Sequence, residues 1–274
     1  MAPIAFTKMS GNGNDFILID NRRPILDEHL LPALVTGICR RRFSVGADGV
    51  ILIEPSAVAD FRWRFYNADG SRGEMCGNGA RCAARFAVMN GISKPEVRFE
   101  TDAGLIQARV DGARARVSMP DPGELRLEQP LALAAGVIRV STVNTGVPHA
   151  VVRVPDPDAV DVVAVGREIR RHPEFAPAGT NADFRCADGA GGLFLRTYER
   201  GVEDETLACG TGAVAGALVA AETLGMASPV RVRTRSGEEL IVHFRRRDGR
   251  FGEIAQEGGA RVVFTGNLCE EAWR

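Results

Sequence analysis

The chain has 274 residues, 45% hydrophobic and 25% charged, with a formal net charge of −1. That length suits two domains, and so balanced a charge gives no field to gather nucleic acid or an anionic membrane. No charged-then-apolar signal segment opens the chain and no apolar run approaches the ~18 residues that span a bilayer, so a cytoplasmic protein is expected, with its six cysteines as thiols rather than a disulfide framework.

In chain order, Gly11-Asn12-Gly13-Asn14-Asp15-Phe16 opens like a dinucleotide fingerprint but lacks the last glycine. It leads into the strand-like Phe16 to Ile19, so it is discarded as a cofactor motif. A helix is expected from Asp27 to Cys39 and an alternating strand from Phe61 to Tyr66. A polar turn and Cys76-Gly77-Asn78-Gly79 then lead into a helix from Ala80 to Met89. Short strands follow at Val97 to Thr101, Leu105 to Val110 and Ala113 to Met119, and Met119-Pro120-Asp121-Pro122-Gly123 has the composition of a linker. Beyond it come a strand from Val137 to Asn144, a helix from Asp161 to Arg170 and a strand from Leu193 to Tyr198. Cys209-Gly210-Thr211-Gly212 opens a helix from Ala213 to Leu224, and Val230 to Thr234 is again a strand. The run Arg245-Arg246-Arg247 beside Asp248-Gly249 reads as a solvated strand end or turn, with a phosphate patch as the alternative.

Strand, polar turn, Cys-Gly-x-Gly-Ala and small-residue helix thus occur twice, with Cys76 and Cys209 separated by 133 positions (209 − 76), about half the chain. Gly11 and Gly146, in Ser10-Gly11-Asn12-Gly13-Asn14 and Thr145-Gly146-Val147-Pro148-His149, lie 135 apart (146 − 11). Two agreeing offsets point to an internal duplication. The fold expected is α/β (α+β): two pseudo-symmetric domains, each a curved mixed sheet wrapped around a buried central helix. The first takes residues 1–122 with 266–274 and carries Cys76; the second takes 123–265 and carries Cys209.

A cysteine followed by Gly-x-Gly-Ala stands at a helix mouth, where backbone N–H groups lack partners and the macrodipole is positive. Such a place favours the thiolate and forms an anion site, because glycine lets a carboxylate approach the backbone. If the halves face each other, two thiols flank one bound carboxylate. That arrangement suits removal of a proton from one face of a carbon and its return to the other, with one group thiolate and its partner thiol. Cys82 reads as core packing, and Cys39, Cys186 and Cys269 lack a glycine-rich context and read as structural. No C-x₂-C pair exists and the four histidines are scattered, so no metal is expected.

The segments Lys8-Met9 through Gly13-Asn14-Asp15-Phe16, Val45-Gly46-Ala47-Asp48, Phe65-Tyr66-Asn67-Ala68-Asp69-Gly70 and Met75-Cys76-Gly77-Asn78-Gly79-Ala80-Arg81-Cys82 resemble the diaminopimelate epimerase family. So do Pro148-His149, Gly179-Thr180-Asn181, Tyr198-Glu199-Arg200-Gly201 and Ala208-Cys209-Gly210-Thr211-Gly212-Ala213. The resemblance covers nearly the whole chain. It implies interconversion of LL- and meso-diaminopimelate, on the route to lysine and peptidoglycan, without a cofactor. Cys76 and Cys209 become the acid/base pair, with Gly77-Asn78 and Gly210-Thr211 binding the carboxylate at the reacting carbon. Asn14, Asn67, Asn181, Glu199 and Arg200 line the rest of the substrate site, and His149 and Glu199 tune the thiols. The partners implied are the small-molecule amino-acid substrate and a second copy in a homodimer, with no nucleic acid and no membrane.

Each of these residues also has a plainer reading. Asn67 can simply make its turn, Asn14 and Asn181 can bond their own loops, His149 can be a satisfied core histidine, and Glu199-Arg200 can be a surface ion pair. Ser10, Gly49 and Val147 stand where the family commonly has His, Gln and Asn. Two alternatives follow: a two-thiol racemase of histidine, proline or hydroxyproline, and a catalytically silent amino-acid sensor.

Overall fold

The computed structural model describes residues 3–24 and 27–273. It divides into two units, Met1–Val117 with Gly258–Arg274, and Ser118–Glu257. The division falls five and eight residues before the boundaries expected from the sequence. The reason is local. The linker-like stretch belongs to the second unit, where Met119 N–H donates to Ile254 O (2.8 Å) and Gly123 N–H to Asn144 O (2.7 Å).

Unit 1 contains β1 (Ile4–Gly11), β2 (Asn14–Asp20), α1 (Leu31–Cys39), β3 (Gly49–Glu54), β4 (Phe61–Asn67), β5 (Arg72–Gly73), α2 (Gly77–Met89), β6 (Glu96–Thr101), β7 (Gly104–Asp111) and β8 (Arg114–Ser118). β1 and β2 are antiparallel, β2 and β3 parallel, β3 and β4 antiparallel, β4 and β6 parallel, and β6, β7 and β8 antiparallel in turn. The C-terminal strand Arg261–Leu268 comes back to pair antiparallel with β1, with Ile4 opposite Leu268. The sheet is covered on both faces. Phe16, Leu18, Ile51, Ile53 and Trp63 pack with Ala80, Ala83, Ala84 and Ala87 of α2. Ile17, Ile19, Val50, Leu52 and Tyr66 pack with Leu34, Val35 and Ile38 of α1. Two-sided burial explains why Phe16 to Ile19 and Val50 to Ile53 are unbroken apolar runs rather than alternating ones.

Unit 2 contains β9 (Arg126–Leu133), β10 (Gly136–Asn144), β11 (Pro148–Arg153), α3 (Val162–Arg170), β12 (Asn181–Ala187), β13 (Leu193–Glu199), β14 (Asp204–Thr206), α4 (Gly210–Leu224), β15 (Val230–Arg233), β16 (Glu239–Arg247) and β17 (Arg250–Gly259). Its pairing repeats that of unit 1 strand for strand. β10 and β11 are antiparallel, β11 and β12 parallel, β12 and β13 antiparallel, β13 and β15 parallel, and β15, β16 and β17 antiparallel in turn. β9 pairs with β10 as the C-terminal strand pairs with β1. The half-chain offset in the sequence is therefore a duplicated topology, and α2 and α4 hold the same place in it. α4 is buried on all sides from Gly212 to Ala220, as its Ala, Gly and Val content requires. The expected helix at Asp27 splits: Asp27 caps a short 3₁₀ turn, Glu28–Leu30, before α1 begins. Arg245 to Arg247 end β16, each paired with a glutamate, Glu253 or Glu222.

Candidate active site

Each central helix has a cysteine as its N-cap: Cys76 with extended backbone (φ −146°, ψ 113°) before α2, and Cys209 (φ −112°, ψ 113°) before α4. Cys209 uses its sulfur to accept from a first-turn N–H, while the Cys76 side chain makes no such cap bond; first-turn N–H groups have no partner within the helix. The glycines there are also close-packed. A Cβ on Gly212 would lie 2.5 Å from Asp183 Oδ1, and one on Gly79 3.1 Å from the Ile51 side chain.

The surroundings of the two sulfurs differ. Half-buried Cys76 donates to Asn14 Oδ1 (3.5 Å), an oxygen that also accepts from Asn78 Nδ2 (3.4 Å), while Asn14 Nδ2 donates to Asp48 Oδ2 (2.7 Å). Asp48 and Asp15 are bridged by Arg41, and Lys8 pairs with Asp15 at 2.8 Å. Fully buried Arg81 grips the same helix mouth, donating to Asn12 Oδ1 (2.7 Å), Asn78 Oδ1 (2.9 Å) and Gly259 O (3.3 Å). Arg81 is thus a buried cation at the first turn, with the Asp15, Asp48, Arg41 and Lys8 ion-pair cluster behind Asn14.

Cys209 is buried. Its sulfur accepts from Gly212 N–H and meets Thr211 Oγ1, both at 3.4 Å. Burial pushes this thiol well above its ordinary pKa, and the Glu199 and Asp183 carboxylates push the same way. The Thr211 hydroxyl and the Gly212 N–H oppose them without reversing the result. The thiolate expected at a helix mouth is therefore corrected here: desolvation and two carboxylates outweigh the helix terminus, and Cys209 rests as the thiol. Glu199 is itself pushed up by burial, with the Thr206 hydroxyl and His149 working against the rise.

The structure brings His149, Asn181, Glu199, Arg200, Gly210 and Thr211 together in unit 2. His149 Nδ1 lies 2.6 Å from Asp183 Oδ2 and its Nε2 3.4 Å from Asn181 Nδ2, and Asn181 Oδ1 accepts from Arg200 N–H at 2.7 Å. Glu199 and Arg200 form no ion pair with each other. Glu199 is turned inward toward Cys209, while the Arg200 guanidinium donates to Ala178 O (3.1 Å). Among the described residues no carboxylate pairs with Arg200. In unit 1, exposed Asn67 spends its amide on Ser71 Oγ (3.0 Å) and its backbone on the same turn. Asn14 and Asn78 meet at Cys76.

Gly49 opens β3 opposite Asn67, and a Cβ there would sit 2.5 Å from Tyr66 O and 2.7 Å from the Phe65 ring. No larger residue fits that backbone. Ser10 faces Asp15 across the β1–β2 pair, and Val147 O accepts from Thr145 N–H (3.1 Å) in the turn before β11. Sequence reading missed Asp183, Arg81 and Asp48. Asp183 in β12 and Arg81 in α2 are charged residues within apolar elements, and Asp48 is a loop acid just before β3; the meaning of each depends on partners far along the chain.

Two copies of a sheet-around-helix unit, each with a cysteine at the N-terminus of its central helix, define the class: a duplicated α/β fold with a paired Cys-Gly-x-Gly-Ala motif. The diaminopimelate epimerase family model matches residues 6–124 and 141–263. The diaminopimelate epimerase of Aquifex aeolicus is 44% identical over 97% of this chain and 98% of its own length. That of Chlorobaculum tepidum is 45% identical over 95% and 99%. The chain belongs to the diaminopimelate epimerase family. Solved structures share the fold at lower identity. A PhzF-family phenazine biosynthesis protein of Bacillus anthracis aligns with TM-score 0.77 at 14% identity, covering 98% of this chain and all of that one. A probable proline racemase of Agrobacterium radiobacter K84 aligns with TM-score 0.71 at 20% identity, over 97% and 93%.

Proposed function

We propose that the chain epimerises LL-diaminopimelate to meso-diaminopimelate, supplying lysine and peptidoglycan precursors, with Cys76 and Cys209 as proton carriers. The observation that carries this reading is a cysteine N-cap at the topologically equivalent helix of both units in a chain of this family. Cys76, after releasing to solvent the proton it donates to Asn14 Oδ1, takes the α-proton of LL-diaminopimelate as thiolate, and the Cys209 thiol returns a proton to the opposite face. The carbanionic charge formed between the two steps spreads into the α-carboxylate. The N–H groups of Gly77, Asn78, Gly210 and Thr211 hold that carboxylate and stabilise the added charge. Each forward turnover leaves Cys209 as the thiolate, the form that its buried, acidic surroundings disfavour, so it recovers a proton before the next. No group outside the chain is needed for this chemistry.

Asn14, Asn67, Asn181, Glu199 and Arg200 hold the remainder of the substrate. Arg200 faces the distal carboxylate, for which a guanidinium fork is suited. A panel of chiral amino acids tests the reading. LL-diaminopimelate should lose optical purity at its α-carbon, with DD-diaminopimelate, histidine and proline unchanged. Faster racemisation of histidine would overturn the substrate while leaving the thiols in place.

The enzyme acts in the cytoplasm, where its cysteines, none of them in a disulfide, stay reduced. Support for a homodimer comes from the C-terminal strand of unit 1. Phe264 is 46% exposed and packs edge-on to Phe6, and Val263 and Phe43 are 53% and 77% exposed. Phe43, Val45, Phe264 and Leu268 line one shallow groove, apolar surface that a second copy would cover. Phe264→Asp should convert the dimer to monomer in sedimentation; a wild-type protein already at monomer mass overturns the dimer.

A further inference from the structure

Strand β12 sorts its side chains cleanly. Ala182 and Phe184 enter the core beneath α3, while Asp183 and Arg185 face α4, beside Gly212 and Gly216. Asp183 and His149 are both wholly buried side chains, and Asp183 accepts from Thr197 Oγ1 (2.7 Å) on its other oxygen. A buried carboxylate is retained only where donors satisfy it, and these two do.

The hydrogens of this network can be assigned from one fixed donor. Arg200 N–H can only donate, so the atom of Asn181 that meets it at 2.7 Å is Oδ1. Asn181 must then turn Nδ2 toward His149 Nε2 at 3.4 Å, and Nε2 must accept. The imidazole proton is left on Nδ1, where the Asp183 carboxylate at 2.6 Å can only accept it. Each link permits one orientation of the next.

We propose that Asp183 is a positioning residue of the active site: by holding the His149 proton on Nδ1 it fixes the Asn181 amide and, through it, the Arg200 turn that reads the far end of the substrate. The inference rests on the proposed substrate roles of Asn181 and Arg200. It differs from a packing role because what Asp183 transmits is a choice of tautomer and amide orientation. Loss of Asp183 frees the imidazole to carry its proton on Nε2. Asn181 then turns its oxygen toward the ring, and Arg200 N–H loses its acceptor.

Two measurements test this. In substrate-free wild-type protein labelled with ¹⁵N, His149, assigned with His149→Gln, should show a protonated Nδ1 and a bare Nε2. A proton on Nε2, whether or not Nδ1 also carries one, overturns the proposal. In kinetics with LL-diaminopimelate, Asp183→Asn can offer Oδ1 to His149 and turn its Nδ2 to Thr197, so KM should stay within about twofold of wild type. Asp183→Ala should raise KM about tenfold or more, with a smaller fall in kcat, as removal of a supporting carboxylate behind a histidine does elsewhere. A folded Asp183→Ala enzyme with unchanged KM overturns the proposal, as does an Asp183→Asn enzyme whose KM rises as far as that of Asp183→Ala. If Asp183→Ala does not fold, the ¹⁵N spectrum of the wild type still decides. A wild type inactive on diaminopimelate would instead sink the substrate reading, and the spectrum would remain a separate test of Asp183.

Discussion

The mouths of α2 and α4 occupy the same position in the same topology and are furnished with different side chains. At α2 a fully buried arginine, Arg81, holds the first turn, and Cys76 bonds a neutral amide. At α4 the sulfur of Cys209 lies under the influence of two carboxylates, Glu199 and Asp183. A helix N-terminus contributes the same partial charge in both units, so it cannot tell one thiol from the other. Side chains outside the Cys-Gly-x-Gly-Ala motif make that distinction. Duplication supplied two equivalent cysteine positions, and divergence around them gives the two thiols different surroundings.

The largest effect should come from removing either thiol. Cys76→Ala and Cys209→Ala should each lower epimerisation by about 10⁴-fold or more, since neither proton carrier has a substitute. Solvent isotope exchange then separates the two. Cys209→Ala should still exchange the α-hydrogen of LL-diaminopimelate with D₂O without inversion, and Cys76→Ala should exchange only the meso isomer. The reverse pattern in an NMR exchange assay would invert the assignment of base and acid.

A smaller effect sharpens the comparison at the far end of the substrate. The β13 turn carries Arg200 where the equivalent β4 turn carries Ala68, so at this turn position the cation proposed for the distal carboxylate occurs in unit 2 and not in unit 1. Arg200→Ala should lower kcat/KM for diaminopimelate roughly 10²-fold, since a charge-assisted pair is worth ~3 kcal/mol. Arg72→Ala should leave turnover within about twofold, because Arg72 pairs with Asp102 on the exposed surface of unit 1, where such pairs contribute little. Equal losses in the two variants would remove the argument for a one-sided substrate site.

The smallest effect concerns stability. Burial pushes the Cys82 thiol in α2 up to about 12, from an ordinary 9.0. Its folded pKa is raised, so the stability it contributes is fully present below pH 9 and lost as the pH climbs from 9 toward 12. At pH 10.5 the loss from this thiol is ~2 kcal/mol at ~1.4 kcal/mol per pH unit. Urea unfolding at pH 7.5 and 10.5 should show a shallower alkaline decline in Cys82→Ala than in wild type. An unchanged decline would mean that Cys82 titrates normally in the fold.

The paired motif, the half-chain offset and the helices behind the cysteines were legible because they are local patterns repeated. Strand β3 was not: Val50 to Ile53 is a short apolar run without alternation, and only the presence of α1 and α2 on its two faces explains it. The reversal at Cys209 was hidden for a related reason. The motif reports the helix mouth, but Asp183 reaches it from β12 and Glu199 from β13, and no spacing rule joins those strands to the cysteine. Asp183 reads in sequence as one acid in an apolar strand, with its histidine 34 residues away. Asn67, expected to line the substrate site, shows the converse limit, since its amide keeps the turn contact of the plainer reading.

The pairing of the C-terminal strand with β1 makes unit 2 an insertion within unit 1, and that has a consequence for how the chain folds. Ile4 cannot meet Leu268 until the 140 residues from Ser118 to Glu257 have been bridged. Closing so long a flexible loop costs roughly 3 kcal/mol more than closing one of four or five residues. The insert carries its own remedy. Met119 and Ile254, near its two ends, are hydrogen-bonded to each other at 2.8 Å. Once unit 2 has folded, its ends lie side by side and the loop that unit 1 must close is in effect a few residues long. Unit 2, contiguous in sequence, should therefore acquire protection from hydrogen exchange first, and the β1 edge should be protected last.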